Sequence, residues 1–323
     1  MPDRDDARWL AAAARLAARG RPLSRPNPAV GAMVVREGRV VGHGWTQAGG
    51  RPHAEAVALA AAGPLAQEAT LYTTLEPCAH RSARGPSCAD LIGESGVVRV
   101  VFAERDPDPR TVGRGAARIA DAGIAVEQLA SECARQSLAG YLARTELGRP
   151  HVTLKLACSL DGRIALPNGT SRWITGEAAR AHVHAQRARS DAILVGGGTW
   201  RADSPRLDVR LPGLEDRSPQ RMILTRGTAP EGVTALAAPE EIGTLADVQY
   251  LYMEGGAQTA AAFLRADLVD RLDLYRAPVL IGEGRAAIGD MGLADLAQAH
   301  GRWRLVEQRR LGSDVYEAYE RQR

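Results

Sequence analysis

The chain has 323 residues, with 41 Lys and Arg against 38 Asp and Glu, and a formal net charge of +3. Its 45% hydrophobic and 24% charged residues are the usual balance of a globular protein, which excludes global disorder and collagen-like repeats. The sequence has no apolar run of the roughly 18 residues that a membrane span needs, no signal-peptide pattern and no cluster of basic residues, so we expect a cytoplasmic enzyme without a membrane or nucleic-acid partner.

Helical and strand patterns alternate along the first half of the chain. An Ala-rich segment closed by Gly20 predicts a helix over 6–20, and the Pro residues after it predict an extended loop over 21–28. The patterns that follow predict strands over 29–35, 39–45, 70–75, 97–103 and 124–129, and helices over 53–62, 114–123 and 130–147. Strands that alternate with helices form layered α/β domains. A Gly-Arg-Pro sequence then marks the boundary between two domains, 1–148 and 149–323.

The second half shows the same alternation. Apolar runs predict strands over 151–162, 221–227, 248–256 and 270–282, and a strand followed by a glycine loop over 191–199. Helices are predicted over 172–190, with Thr175 as the N-cap, and over 257–265. Residues 211–245 have no clear pattern. The sequence therefore predicts a second α/β domain.

Three residues of the first domain have the chemistry of a zinc site. His53 opens a helix, Cys78 follows a strand, and Cys88 lies ten positions further on, in a segment that we expect to be a loop. One imidazole and two thiolates give a tetrahedral zinc ion three ligands and leave the fourth position for water, whose pKa zinc lowers. Glu55 is not needed as a ligand and is placed to carry a proton to a leaving amine. The order His-x-Glu…Pro-Cys is the signature of zinc-dependent nucleobase deaminases.

Other interpretations of these residues stay open on the sequence alone. With His80 as a fourth ligand the zinc would be structural, although Glu55 would then have no purpose. The histidine and the cysteines would otherwise be ordinary core residues. Asn27, in a rigid Pro-Asn-Pro loop, offers a donor and an acceptor that suit the edge of a pyrimidine substrate, and its alternative is a turn-forming Asn between prolines.

The segments that carry these residues resemble a known family. Pro26–Gly31, Pro52–Glu55 and Thr74–His80, together with Cys88, are similar to the deaminase half of the bifunctional riboflavin-biosynthesis deaminase/reductases. The long gap between the two cysteines is typical of that family and differs from tRNA adenosine deaminases and cytidine deaminases. The resemblance implies that the first domain has a cytidine-deaminase-like α/β/α fold.

The first domain departs from the family pattern at two places. Thr46 stands where the family usually has a His, and the loop at 81–87 is one residue longer than usual. If that loop binds the substrate phosphate, Arg81 and Arg84 are available to do so.

A single lysine and two glycine turns mark the second domain. Lys155, the only lysine of the chain, lies on a predicted strand, where a guanidinium would not serve in its place. Gly196–Thr199 and Glu254–Gly256 each end a strand, and glycines there let the backbone approach a phosphate, although such turns are more often tight connections. No full G-x-G-x-x-G fingerprint is present. Arg226 follows a strand, where it would favour the 2′-phosphate of NADPH, and its alternative is a solvated surface charge.

This second domain is similar to the reductase half of the same family, through Lys155–Arg163, Ser171–Thr175, the segment 198–210 and Glu254–Gly256. The resemblance implies a dihydrofolate-reductase-like α/β fold. By the same resemblance, the residues that contact NADPH are Ala157, Trp173, Thr199, Asp203, Arg226 and Gly256. Those that contact the ribosyl phosphate substrate are Ser171, Arg187, Leu207, Arg210 and Glu254. Lys155 and Asp203 are the candidates for polarising or protonating the sugar carbon that is reduced. Ser204, where the family commonly has Asp, and Cys158, in place of a small apolar residue, depart from the pattern.

The sequence thus predicts a bifunctional enzyme of riboflavin synthesis. Its cofactors would be zinc and NADPH, its substrate a small phosphoribosyl pyrimidine, and its assembly a homo-oligomer. Two alternatives remain at this point: a deaminase of free nucleotides or nucleic acid with an inactive second domain, and a non-enzymatic zinc module whose second domain senses a nucleotide. Neither explains both sets of motifs, and the first needs a basic channel that a net charge of +3 hardly provides.

Overall fold

The computed structural model describes residues 4–81 and 85–323 of the chain. The fold divides into two compact units, Met1–Gly148 and Arg149–Arg323. Within the described residues, no helix combines the length and the apolar character that crossing a membrane requires. Each unit contains its own sheet and its own buried apolar clusters.

The first unit is a sheet covered by helices on both faces. Its helices are α1 (Arg4–Ala17), α2 (Ala54–Ala62), α3 (Cys88–Gly93), α4 (Arg114–Asp121), α5 (Glu132–Ser137) and α6 (Ala139–Leu147). Its strands are β1 (Gly31–Arg36), β2 (Arg39–Trp45), β3 (Thr70–Leu75), β4 (Arg99–Glu104) and β5 (Ala125–Gln128). The strand order is β2-β1-β3-β4-β5, in which β1 is antiparallel to both neighbours and β3, β4 and β5 are parallel.

Two apolar clusters show which helices cover which face of this sheet. Helices α1 and α5 pack through residues such as Leu10 and Ala134 against Tyr72 and Val101 of the strands. On the other face, α2, α3 and α4 bury residues including Ile92 and Ile119. This α/β/α layering confirms the fold class expected for the first domain.

The second unit is built on an eight-stranded sheet. Its helices are α7 (Glu177–Arg187), α8 (Gly197–Asp203) and α9 (Ala257–Arg265). Its strands are β6 (His151–Cys158), β7 (Arg163–Ala165), β8 (Ala192–Gly196), β9 (Gln220–Leu224), β10 (Thr234–Leu236), β11 (Tyr250–Met253), β12 (Arg271–Arg276), β13 (Arg285–Ala286), β14 (Trp303–Leu311) and β15 (Asp314–Arg321). The order in the large sheet is β10-β9-β8-β11-β6-β12-β15-β14, and β7 pairs with β13 separately.

Six of the eight strands, from β10 to β12, run parallel, whereas β15 and β14 are antiparallel additions at one edge. The carboxyl ends of β6, β8, β9 and β11 therefore meet at one edge of the sheet. Ligands of open parallel sheets bind outside that edge. The mixed α/β architecture confirms the fold class expected for the second domain.

Several sequence predictions of local structure are wrong. The helix predicted over 130–147 is two helices, which meet at Leu138. Thr175 is not an N-cap, because α7 begins at Glu177 and Gly176 takes the N-cap position, where its N–H donates to the Asp314 carboxylate. The residues predicted as a glycine loop after β8 open helix α8.

The C-terminal hairpin of β14 and β15 is missing from the sequence predictions. Strand β14 is half-buried at best and carries charged residues at many positions. Because β14 lies at an edge of the sheet, it does not show the strict alternation of apolar and polar residues by which strands are predicted.

Candidate active site

The predicted zinc ligands of the first unit converge on one point. The ligand atoms of His53, Cys78 and Cys88 all lie within 4.8 Å of one another. The Nδ1 atom of His53 is 3.3 Å from the Cys88 sulfur and 3.5 Å from the Cys78 sulfur. An imidazole nitrogen and two thiol sulfurs at this spacing are the donor set that zinc prefers, so the residues present fit a zinc ion with an open coordination position.

Each ligand is held by the end of a regular element. His53 is the N-cap residue of α2, and Cys78 lies three residues after the end of strand β3. Cys88 is the first residue of α3, with Ser87 as a side-chain N-cap, so the expectation that Cys88 lies in a loop is wrong. The sequence does contain one indication of this helix. Ser87 is followed three residues later by the acidic Asp90, and this spacing is typical of a helix N-terminus.

Neighbouring groups orient the ligands. The backbone N–H of Cys88 donates to the Cys78 sulfur at 3.3 Å, and the side-chain amide of Asn27 lies 3.5 Å from His53 Nε2, the nitrogen that does not face the sulfurs. Asn27 also donates to the backbone carbonyl of Gly50 at 3.2 Å. A side-chain hydrogen bond with the Cys88 thiol is the main cause that lowers the pKa of the Cys78 thiol, and His53 adds to it. Such outer contacts fix the ring and thiolate geometry of metal sites.

Glu55 lies in the first turn of α2 beside the ligands and is only 3% exposed. Burial raises the pKa of its carboxyl group. The helix approaches strand β2 so closely that a Cβ atom at Gly44 would lie 2.5 Å from the Ala54 carbonyl oxygen. The absence of a side chain at this glycine thus lets α2 bring Glu55 up to the ligands.

A cavity of about 460 Å³ opens in front of the cluster. Its walls include Asn27, Thr46, His53, Glu55 and Cys78. The volume falls within the range of small-molecule sites. Thr46 is buried, and its hydroxyl accepts the backbone N–H of Val30 at 3.0 Å, so it ties the Asn27 loop to the end of β2.

Asp106 and Tyr141, which also line the cavity, were not predicted as site residues. The Tyr141 hydroxyl donates to the Asp106 carboxylate at 2.7 Å, and burial raises the pKa of that carboxyl. Asp106 follows the end of β4, and β4 is the parallel neighbour of β3, which leads to Cys78. Its position after a parallel strand could therefore have marked Asp106 as a candidate site residue. Tyr141 comes from a helix far along the chain, and no local motif marks it.

The structure places the other residues of the first domain as follows. His80 is not part of the three-residue cluster found among the described residues, and its Nδ1 lies 3.5 Å from the Thr111 hydroxyl. The described part of the chain thus does not favour a four-ligand structural zinc. Arg81 is exposed and pairs with Asp90 at 2.9 Å. Arg84 lies outside the described residues.

In the second unit, three predicted residues form a group of charges with little solvent exposure: Arg187 is buried, and the side chains of Lys155 and Glu254 are 17% and 13% exposed. Glu254, immediately after β11, accepts two hydrogen bonds from Arg187 of α7, at 2.6 and 3.0 Å. The ammonium of Lys155 on β6 lies 3.7 Å from the same carboxylate. Although burial opposes ionisation, Arg187 and Lys155 lower the pKa of Glu254 to about 2. We call Lys155, Arg187 and Glu254 the charged triad.

The glycine turns of the second unit lie beside each other. A Cβ atom at Gly196 would lie 2.1 Å from the Thr259 hydroxyl, and one at Gly256 would lie 3.2 Å from the Thr199 hydroxyl. The ends of β8 and β11 and the starts of α8 and α9 therefore pack closely together, because the glycines leave room for these threonine hydroxyls. This brings the predicted cofactor residues Thr199 and Gly256 to one place at the carboxyl edge of the sheet.

The remaining predicted residues differ in exposure. Trp173, Asp203, Arg210 and Arg226 are exposed, Ala157 and Ser171 are half-buried, and Leu207 is buried. Leu207 packs in an apolar cluster, so its side chain faces the core. Arg210 donates its backbone N–H to His184 at 3.3 Å.

Comparison with known proteins agrees with these two sites. The family model for the cytidine and deoxycytidylate deaminase zinc-binding region matches residues 3–104, and the RibD C-terminal domain model matches 150–241 and 232–316. The chain is 38% identical to riboflavin biosynthesis protein RibD of Escherichia coli K12, with 96% of this chain and 98% of that protein aligned. It is 39% identical to RibD of Mycobacterium tuberculosis H37Rv, with 90% of each chain aligned.

Solved structures agree over the whole length. A deaminase/reductase from Thermotoga maritima superposes with a TM-score of 0.87 at 30% identity and covers 98% of this chain and 99% of its own. RibD of Acinetobacter baumannii superposes with a TM-score of 0.82 at 34% identity, with coverage of 98% and 99%.

Fold and site together define an enzyme that joins a zinc-binding deaminase domain to a reductase domain of a kind that uses NADPH. More specifically, the chain belongs to the RibD family of bifunctional deaminase/reductases of riboflavin biosynthesis. The family resemblance seen in the sequence is thereby confirmed.

Proposed function

We propose that residues 1–148 hydrolyse the exocyclic amine of 2,5-diamino-6-(5-phosphoribosylamino)pyrimidin-4(3H)-one, and that residues 149–323 then reduce the ribosyl group of the product to ribityl with NADPH. The observation that carries the proposal is the convergence of His53, Cys78 and Cys88 beside the buried Glu55. The similar T. maritima protein, a diaminohydroxyphosphoribosylaminopyrimidine deaminase and 5-amino-6-(5-phosphoribosylamino)uracil reductase, supports both halves of the assignment.

In the first reaction, a C–O bond to water forms at the pyrimidine ring and the C–N bond to the amine breaks, releasing ammonia. Zinc held by His53, Cys78 and Cys88 supplies the Lewis acidity that makes water a nucleophile near neutral pH. Glu55 accepts a proton from the attacking water and donates it to the leaving amine. Asn27 presents its amide to the pyrimidine edge, and its contact with the ring of His53 keeps that amide in place.

In the second reaction, C1 of the ribosyl group would receive the hydride that NADPH, held by residues of the second domain, would supply. The bond from C1 to the ring oxygen breaks, and that oxygen takes up a proton. Lys155 and Asp203 are the proposed groups that polarise or protonate the reacting sugar. Two guanidinium nitrogens of Arg187 donate to Glu254, so we assign Arg187 to orienting that carboxylate. The guanidinium of Arg210 is half exposed, and we assign it to the substrate phosphate.

The other site assignments follow the same division. The residues proposed to hold NADPH are Ala157, Trp173, Thr199, Asp203, Arg226 and Gly256. The residues proposed to hold the substrate are Asn27 in the first domain and Ser171, Leu207, Arg210 and Glu254 in the second, and Arg187 is proposed to act on the substrate through Glu254. Leu207 would act through its backbone, since its side chain is in the core.

A stoichiometric experiment tests the function. Purified enzyme is given the diaminopyrimidine ribosyl phosphate with excess NADPH, and ammonia and NADP⁺ are counted. We expect one ammonia and one NADP⁺ per substrate, and ammonia alone when NADPH is withheld. Release of ammonia with no NADPH oxidation would reduce the function to that of a deaminase. Failure to release ammonia from this substrate would overturn the proposal for the first domain.

We further propose that the enzyme works in the cytoplasm as a symmetric homo-oligomer. Its four cysteines, all within the described residues, form no disulfide, which suits a reducing compartment. Closed symmetric homo-oligomers are the commonest assemblies of enzymes. Light scattering coupled to size-exclusion chromatography measures the assembly directly, and a mass near the 34.4 kDa of one chain would contradict it.

A further inference from the structure

The segment that carries Cys78 lies along a helix that contributes no zinc ligand. Glu76, two residues before the ligand, is only 2% exposed and points its carboxylate at the N-terminus of α4. One carboxylate oxygen accepts the backbone N–H of Gly113 at 3.1 Å, and the other accepts that of Ala116 at 3.2 Å. The first backbone N–H groups of a helix have no partner within the helix, and a carboxylate also stabilises the positive end of its dipole.

Two further contacts continue this attachment along the segment. A Cβ atom at Gly115 would lie 1.8 Å from the Pro77 carbonyl oxygen, so α4 rests directly on the backbone next to the ligand. Arg118, one turn further along α4, donates to the Ala79 carbonyl at 3.0 Å. Helix α4 therefore contacts residues on both sides of Cys78.

The second cysteine is tied to the same structure. The carbonyl of Cys78 accepts the N–H of Ala89 at 3.1 Å, and its sulfur accepts the N–H of Cys88. Arg118 of α4 also pairs with Asp90 of α3 at 3.3 Å. Arg118 thus bonds both to the segment that carries Cys78 and to the helix that begins at Cys88.

We propose that Glu76 is a positioning residue of the zinc site, which sets the spacing between Cys78 and Cys88 by fastening the ligand segment to the N-terminus of α4. The inference rests on the proposed assignment of His53, Cys78 and Cys88 as the zinc ligands. It extends that assignment because Glu76 does not touch the metal and acts only through the backbone that carries one of its ligands.

The carboxylate matters because both of its oxygens are acceptors. In Glu76→Gln, the amide oxygen can satisfy one of the two N–H groups, while the amide nitrogen, a donor, must face the other. The segment then has to move away from α4, and Cys78 moves with it. Loss of an outer-shell partner of this kind typically weakens metal binding by 10- to 100-fold.

The experiment measures zinc affinity of the full-length protein by competition with a chromophoric chelator. For Glu76→Gln we expect zinc affinity to fall about 10- to 100-fold. We also expect the thiolate-to-metal absorption of the cobalt-substituted protein to shift, because that band reports ligand geometry. Unchanged affinity together with an unchanged cobalt spectrum would overturn the proposal.

A matched control separates positioning from general stability. Asp6, also a buried carboxylate of the first unit, pairs with Arg99 at 2.8 Å on the face of the sheet away from the cysteines. Asp6→Asn should lower the melting temperature while leaving zinc affinity and the cobalt spectrum as in the wild type. Equal weakening of zinc binding by Asp6→Asn and Glu76→Gln would also overturn the proposal, since stability alone would then explain both.

Arg118→Met provides a second variant in case Glu76→Gln does not fold. Arg118 is about half exposed, so its replacement spares the core, yet it removes the contacts with Ala79 and Asp90. We expect a smaller loss of zinc affinity than for Glu76→Gln, and no loss would contradict the role of α4. Wild-type protein that binds no zinc would instead refute the ligand assignment itself, which keeps the two failures distinct.

Discussion

The two candidate sites of this chain are held in different ways. In the first domain, the ligand atoms lie within 4.8 Å of one another, and backbone N–H groups, Asn27 and two helix N-termini hold them in place. In the second domain, only the charged triad is tightly bonded, while Trp173 and Arg226 are exposed. A metal ion needs its ligands at bonding distance, whereas a dinucleotide spreads its contacts over a wide surface.

This difference predicts which substitutions should have the largest effects in each domain. The first site concentrates its chemistry in a few buried groups, so single substitutions there should have large and local effects on deamination. The second site combines a buried group of charges, whose loss should affect folding, with exposed residues, whose loss should affect only cofactor binding. The predictions below test this contrast, from the largest expected effect to the smallest.

The largest effect is expected from Glu55→Gln. The amide keeps the shape of the side chain but cannot exchange protons, and positioned acid-base groups typically contribute 10²- to 10⁴-fold, so the rate of ammonia release should fall by about that factor. Zinc content and NADPH oxidation on the already deaminated substrate should not change. Glu37→Gln, at an exposed turn of the same unit, is the matched control. Full deaminase activity of Glu55→Gln would show that another group carries the proton.

The sequence was a good guide to the first site and a weaker one to the second. His53, Cys78 and Cys88 could be predicted together because metal ligation restricts the residue types and their order. The helix at Cys88 was missed because it has only six residues, too few to show a period. The cavity residues Asp106 and Tyr141 were missed because 35 residues separate them in the chain, and only the fold brings them within hydrogen-bond distance.

In the second domain, the sequence indicated Lys155, Arg187 and Glu254 individually, but not that they bond to one another. Their contact depends on strand order, since β6 and β11 are adjacent in the sheet although almost a hundred residues apart. Strand pairing of this kind leaves no local signal. The strands themselves were predictable because buried parallel strands are continuous apolar runs. Strand β14, at the edge of the sheet, and its neighbour β15 lack such runs and could not be found in this way.

Glu254→Ala should have the next largest effect, on the stability of the second unit. Removing this carboxylate leaves the buried Arg187 without its main partner, and breaking a buried ion pair in this way costs about 3–5 kcal/mol. The free energy of unfolding, measured by denaturant titration, should fall by that amount. Glu320→Ala, which removes the partner of the half-exposed Arg304, should cost less than about 1 kcal/mol. Equal effects would refute the distinction between a buried and an exposed charge pair.

Arg226→Ala should affect only cofactor choice. Its exposed guanidinium follows β9 at the carboxyl edge of the sheet, where it is proposed to contact the 2′-phosphate of NADPH. We expect the KM for NADPH to rise about tenfold, equivalent to about 1.4 kcal/mol, with no change in kcat. The KM for NADH, which lacks this phosphate, should not change. Parallel changes for both cofactors would place Arg226 elsewhere in the site, and no change for either would remove it from the site.

The smallest effect on activity is expected from His182, which lies on α7 outside the proposed catalytic set. Its Nδ1 lies 2.8 Å from the Tyr275 hydroxyl, and its Nε2 lies 3.1 Å from the Gln186 amide. Burial, reinforced by Arg309, lowers the pKa of this imidazole to about 4. Because the unfolded chain holds the proton more tightly, with an ordinary pKa near 6.5, the stability that neutral His182 contributes is complete above about pH 6.5 and is lost as the pH falls towards 4.

The test of this prediction is a comparison of two unfolding curves. Glutamine at position 182 keeps hydrogen-bonding capacity but does not titrate, so the difference in unfolding free energy between wild type and His182→Gln isolates the histidine from the carboxylates that also titrate in acid. That difference should favour the wild type more at pH 7.5 than at pH 5. A difference that stays constant over this range would mean that His182 is protonated equally easily in the folded and unfolded chains. This buried position of the second domain would then tolerate an added charge. The contrast between buried and exposed residues of that domain would then depend on the charged triad alone.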